Sequence, residues 1–182
     1  LKTAQQSPGK LNYGSAGLAS TQRLSVEMLK AQTGRSITFI PYKGNAEALN
    51  ALLAGDVDLV SIGLPPAKGH IEAGRLKALA LTAPQRSATL PQVPTVAEAA
   101  GVPSFAADSW VGLFAPASAP DATVALIQRD VAAALKSSDF ARFMQANDYG
   151  AGGASSAQFA EQTERDRAKY HRLIADLKLN FQ

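Results

Sequence analysis

Leu11-Asn12-Tyr13-Gly14-Ser15-Ala16-Gly17-Leu18-Ala19-Ser20-Thr21-Gln22-Arg23-Leu24-Ser25-Val26-Glu27-Met28-Leu29 reads as strand, glycine loop and helix. Leu11 to Tyr13 form the strand, Gly14 to Thr21 the loop, and Leu24, Met28 and Leu29 recur at helical spacing. The small residues let the backbone turn tightly and approach a ligand. Ser20 or Thr21 can cap a helix whose free N–H groups and positive dipole end favour a carboxylate or phosphate. Such a turn is commonly no more than a turn and a cap, so its meaning depends on its neighbours.

Downstream, the same arrangement repeats. Ile37 to Ile40 reads as a strand that ends at Pro41-Tyr42-Lys43-Gly44, and Asn45 is placed to cap a helix carrying Leu49, Leu52 and Leu53 and ended by Gly55. Val57 to Ile62 reads as a buried strand. Gly63-Leu64-Pro65-Pro66 then turns into a short helix carrying Ile71, and Leu76 to Thr82 alternates as a further strand. Strands alternating with helices at these lengths predict an α/β fold with a doubly wound, mainly parallel sheet. In such a sheet ligands sit at the carboxyl ends of the strands, where both loops would lie.

Upstream, Leu1 to Gln6 reads as the tail of a helix whose beginning is missing, stopped by Ser7-Pro8-Gly9-Lys10. Further along, Thr95 and Glu98 have capping-box spacing, and Ser109 to Phe114 reads as an apolar strand. Val124, Ile127, Val131 and Leu135 predict a helix with one buried face, and Asp139 to Asn147 a shorter helix. After a flexible turn at Gly150 to Gly153, Ser155 and Gln158 form a second capping box. The last helix is expected to bury Phe159, Tyr170, Leu173, Ile174 and Leu177.

Composition narrows the function classes. The 182 residues are 46% apolar and 18% charged, the balance of a folded chain with a core. Net charge is only +3, with basic residues scattered among acidic ones and no basic run interleaved with aromatics, which argues against nucleic-acid binding. Cysteine is absent, which removes disulfides, thiolate nucleophiles and cysteine metal sites. No apolar run approaches the ~18 to 20 residues that a membrane span needs.

Ser15 sits on a strand-to-helix turn, as hydrolase nucleophiles do. A nucleophile elbow, however, places glycine two before and two after the serine; here Tyr13 precedes, Gly17 follows, and the histidines are His70 and His171. Asp56 and Asp58 suit a turn cap better than a metal, and no phosphate-binding loop ends in Gly-Lys-Ser/Thr. What remains is binding without catalytic residues, metal or cofactor. Two loops of backbone donors are flanked by Tyr13, Tyr42, Lys43 and Trp110, and Lys43 beside a helix N-terminus suits a carboxylate.

Asn12-Tyr13-Gly14-Ser15-Ala16-Gly17, Pro41-Tyr42-Lys43-Gly44 and Leu53-Ala54-Gly55-Asp56-Val57-Asp58-Leu59 closely resemble the Bug family, the extracytoplasmic solute receptors of tripartite tricarboxylate transporters. Ala73 to Ala80, Leu90 to Glu98 and Ser109 to Pro116 resemble it in the same order. The resemblance implies a type II periplasmic-binding-protein-like fold: a two-lobed periplasmic receptor that captures a small carboxylate and delivers it to membrane subunits. It also implies that the N-terminal part of the family fold is missing. On this mapping residues 1–107 are the second lobe, bearing the ligand loops, and 108–182 cross the hinge into an incomplete first lobe.

By the same resemblance Ser15, Ala16 and Gly17 offer hydroxyl and backbone donors, Ser20 and Thr21 close that loop, and Lys43, Gly44, Asn45 and Ala46 form a second wall. Family members often have Gly where Ala19 stands, His where Arg23 stands, and an acid or amide in the turn occupied by Ile62 and Gly63. The missing acid implies a ligand without an ammonium group, a dicarboxylate or aromatic acid. An incomplete lobe would expose apolar helix faces around Val124, Ile127 and Val131, so a homo-oligomer or weakened ligand binding is expected. The alternatives are a hydrolase or transferase using Ser15, and a ligand sensor of the same fold.

Overall fold

In the computed structural model of the chain, residues 1–150 and 152–180 are described. They divide into two compact units: Leu1–Ser109 with the chain from Leu173 onward, and Trp110–Arg172.

The first unit is built on strand β1 (Asn12–Ala16), flanked by β2 (Thr38–Tyr42) and β3 (Leu59–Val60) in the order β2-β1-β3. Both pairings are parallel, so all three strands end at one rim. The register sets Tyr13 level with Phe39 and Leu59, and these three join Ala4, Leu11, Val26 and Ile37 in one apolar cluster. Val26 belongs to helix α2 (Thr21–Thr33) and Ala4 to α1 (Lys2–Gln6), so this face of the sheet is covered by those two helices.

Gly14 points to the other face, where a Cβ would stand 2.9 Å from Cε2 of Tyr42 and 3.4 Å from Cγ1 of Val60. A side chain there would displace the Tyr42 ring, which explains the glycine in the middle of a strand. Helix α3 (Asn45–Ala54) packs against all three strands. Right-handed crossovers with this strand order put α2 and α3 on opposite faces, which makes the sheet doubly wound. At the far end from the rim, Asn12 and Asp58 exchange backbone-to-side-chain hydrogen bonds of 2.8 and 2.9 Å, which pins β3 beside β1. Asp58 is thus a structural clamp, in keeping with its reading as a turn residue.

Several expectations need correction. The strand predicted over Val57 to Ile62 is reduced to Leu59–Val60, since Val57 and Asp58 belong to the turn that the Asn12 clamp holds. Leu76 to Thr82 keeps its alternating exposure but forms no ladder beyond an isolated bridge between Leu81 and Thr95. Alternation makes a chain extended; a strand also needs a partner along its length. Ser109 to Phe114 is likewise not a strand, and Val111, Leu113 and Phe114 are exposed. Asn45 is the first residue of α3 and Gly44 its cap.

The remaining first-unit helices are α4 (Leu64–Glu72) and α5 (Val96–Ala100). The capping box of α5 is present as expected, with Thr95 and Glu98 satisfying each other's backbone amides. Val96, Met28, Phe105 and Ala107 form a second core cluster, against which Leu173 packs.

The second unit contains α6 (Asp121–Leu135), α7 (Ser138–Ala146) and most of α8 (Ser156–Asp176). The helices fall where the periodicity puts them, and Ser155 and Gln158 cap each other. None of the three has a fully buried residue, although one buried face was expected for α6 and five buried side chains for the last helix. Periodicity states which face a helix would bury, and it does not supply the surface to bury it against. The turn expected at Gly150 to Gly153 includes residue 151, which lies outside the described residues.

Candidate functional site

The two glycine turns lie side by side at the carboxyl rim, because β1 and β2 are neighbours and run parallel, about 4.8 Å apart by ordinary strand spacing. Gly17 follows β1 with φ +78°, a left-handed conformation that L side chains rarely adopt, and its N–H donates to the Tyr42 carbonyl at 2.7 Å. That bond ties the first turn to the end of β2. It also takes the Gly17 amide out of the expected set of ligand donors.

Ser20 is the N-cap of α2: its Oγ accepts from the Arg23 amide at 3.1 Å and lies 3.2 Å from the Gly17 carbonyl, to which it donates. Ser15 is fully buried with its Oγ 3.3 Å from Ser20 Oγ, so its hydroxyl braces the cap from inside the sheet. No histidine bonds it among the described residues, and the hydrolase reading therefore has no base at this serine. Ala16 ends the strand, level with Tyr42. Thr21 begins the helix with its Oγ1 3.0 Å from Ser109 Oγ.

The amides of Leu18, Ala19, Ser20, Thr21 and Gln22 have no hydrogen-bond partner among the described residues. These are the orphan donors of a helix start, gathered in one turn. In the second turn the amides of Gly44, Asn45 and Ala46 are equally open. The Lys43 amide, by contrast, donates to Glu47 Oε2 at 2.8 Å, while the Lys43 side chain is exposed and in no ion pair among the described residues. A carboxylate in the first turn of α3 makes the second turn a weaker anion site than the first.

One expected site residue, Tyr13, turns inward. Tyr13 is fully buried and donates from its hydroxyl to Glu27 Oε1 at 2.7 Å, on the α2 face of the sheet. Burial first, and then the bond to Glu27, push its phenol far above the ordinary value, so it remains a donor at any physiological pH. Lys30 also holds Glu27, with its Nζ 2.9 Å from both carboxylate oxygens. Tyr13 thus belongs to the core. Trp110 is in the second unit, where its Nε1 donates to Asp166 Oδ2 at 2.8 Å and its ring meets Phe159 edge-on at 5.0 Å.

One residue of the first turn was missed by sequence reasoning. Arg23 is buried, with Nη1 donating to the Leu18 carbonyl at 2.6 Å and its guanidinium 4.6 Å from the centre of the Phe39 ring. An arginine in the first turn of an amphipathic helix reads as a solvated charge, and no local pattern reveals that it folds back over its own loop.

A family profile described as the tripartite tricarboxylate transporter family receptor matches residues 1–179. A UPF0065 protein in the tcbD-tcbE intergenic region of Pseudomonas sp. (strain P51) is 32% identical over 180 residues, which cover 99% of this chain and 54% of that relative. The chain therefore spans about half the length of the curated relative. Among solved structures, R. palustris Rpa4515 with adipate is similar at 34% identity and TM-score 0.83, covering 96% of this chain and 58% of that one. MatC (Rpa3494) from Rhodopseudomonas palustris with bound malate is similar at 27% identity and TM-score 0.74, covering 95% and 60%.

Proposed function

Since the chain belongs to the tripartite tricarboxylate transporter receptor family, we propose that it is a non-enzymatic solute receptor that binds a small carboxylate in the periplasm and passes it to the membrane subunits of such a transporter. The fold is that of a periplasmic binding protein, as the α/β architecture with its parallel sheet and the similar solved structures show. The observation that carries the reading is the pair of neighbouring turns at one rim of that sheet, with the amides from Leu18 to Gln22 and from Gly44 to Ala46 open. Backbone N–H groups at helix starts recognise a carboxylate without a dedicated cation, and Lys43 adds long-range attraction.

The ligand is read as a dicarboxylate or aromatic acid without an ammonium group. The third strand-to-helix turn, Ser61-Ile62-Gly63, holds no acid and is followed by Pro65 and Pro66, which have no N–H to offer. The acid in the second turn, Glu47, is occupied by the Lys43 amide. Adipate and malate, bound by the similar structures, are the natural first probes. We assign the first unit as the ligand-bearing lobe and the second as the part that reaches the other lobe.

Calorimetric titration of the chain with adipate, malate, succinate, glutamate and aspartate tests both statements. Binding of at least one of the first three, with glutamate and aspartate weaker, is the expected result. Silence from all five acids rejects the receptor, and a preference for the amino acids rejects the ammonium-free ligand.

A further inference from the structure

We propose that Arg23 is a positioning residue for carboxylate capture, because it holds the Leu18 carbonyl and thereby aims the Ala19 amide away from the protein interior. The proposal rests on the carboxylate-receptor reading and adds to it the side chain that sets the first turn.

Arg23 is 8% exposed, although a guanidinium is costly to take out of water unless its donors are met. Here Nη1 reaches two carbonyl oxygens, Leu18 at 2.6 Å and Asn180 at 3.3 Å, and the plane lies over the Phe39 ring. The shorter bond is to the loop. A trans peptide points its C=O and N–H in opposite directions, and no cis bond interrupts this chain. Fixing the Leu18 oxygen on Arg23 therefore fixes the Ala19 N–H on the far side of that peptide, where Ala19 is exposed and its amide has no partner among the described residues. A cation on the carbonyl also draws electron density through the peptide and makes that N–H a stronger donor.

The arrangement joins three parts of the first unit through one side chain. The ring of β2 supports the guanidinium, the loop after β1 is oriented by it, and the C-terminal segment at Asn180 supplies the second acceptor. None of the three would be held this way by the helix N-cap alone, which uses only the backbone N–H of Arg23.

The test compares the full 182-residue chain with its Arg23→Met and Arg23→Lys variants, reading the Ala19 amide in 15N–1H spectra and the affinity for adipate by calorimetry. Arg23→Met is expected to move the Ala19 amide proton upfield and to weaken adipate binding about tenfold, the loss of one charge-assisted orienting bond. Arg23→Lys keeps a positive charge for the Leu18 carbonyl but gives up the planar stack on Phe39, and is expected to lose less than the Met variant, about threefold. An unmoved Ala19 amide with unchanged affinity in Arg23→Met overturns the proposal. So does a Lys variant that loses as much affinity as the Met variant, since that would be packing and not charge. If Arg23→Met does not fold, the Lys variant decides: near-parental affinity and Ala19 shift support the proposal, and a tenfold loss overturns it. If the parent binds no acid, the receptor reading falls by itself, and the Ala19 shift in Arg23→Met still supports or overturns the positioning.

Discussion

Tyr13 and Ser20 show how far a single residue can be read. A cap at Ser20 or Thr21 is legible because capping is a local property of a side chain and an amide three positions on, and the structure selects Ser20, which accepts from the Arg23 amide. Tyr13 occupies an alternating strand in which side-chain direction depends on which face each helix covers, a non-local fact. Its hydroxyl bonds Glu27, fourteen residues along the chain, in the core. Tyr13→Phe should therefore leave adipate affinity within about twofold of the parent while lowering unfolding free energy by about 1 to 2 kcal/mol, because Glu27 loses a partner inside the protein. Calorimetry and denaturant unfolding on the same variant separate the two effects. A large loss of affinity at unchanged stability would return Tyr13 to the ligand.

At the scale of elements, the caps were legible and the strands less so. A cap is a side chain and a backbone amide three residues apart, whereas a strand exists only when another strand lies beside it. The α5 box illustrates the first kind and also makes a pH prediction. The Glu98 carboxylate is held below the ordinary 4.5, first by the Thr95 amide and then by Arg86. A carboxylate with a depressed folded value contributes stability that is present above 4.5 and disappears as pH falls through that lower value. Hydrogen exchange at the Thr95 amide should accordingly rise on acidification below 4.5 relative to its neighbours. Glu98→Gln, which can keep the bond without titrating, should abolish that rise. Leu76 to Thr82 illustrates the second kind: its alternation is real and its ladder is a single bridge.

For the whole molecule, the absence of any fully buried residue in α6, α7 and α8 among the described residues contrasts with the cored first unit. Leu126, Ile127, Phe140 and Phe143 are exposed together with Val111, Leu113 and Phe114, and apolar surface of this extent favours association. Light scattering at micromolar concentration should give a mass above the 19.0 kDa of one chain, and a monodisperse monomer would reject self-association. By itself the sequence determined that strands alternate with helices, that two small-residue turns open onto helix starts, and that the chain resembles a carboxylate-receptor family. The first two are consequences of spacing and capping, which act over a few residues, and the third rests on short motifs shared with that family. Only the tertiary structure decided that Tyr13 faces inward, that the Gly17 amide is consumed by Tyr42, and that Arg23 folds over the loop. Each depends on which surfaces meet across tens of residues, and burial and hydrogen-bond pairing are properties of that meeting rather than of either partner.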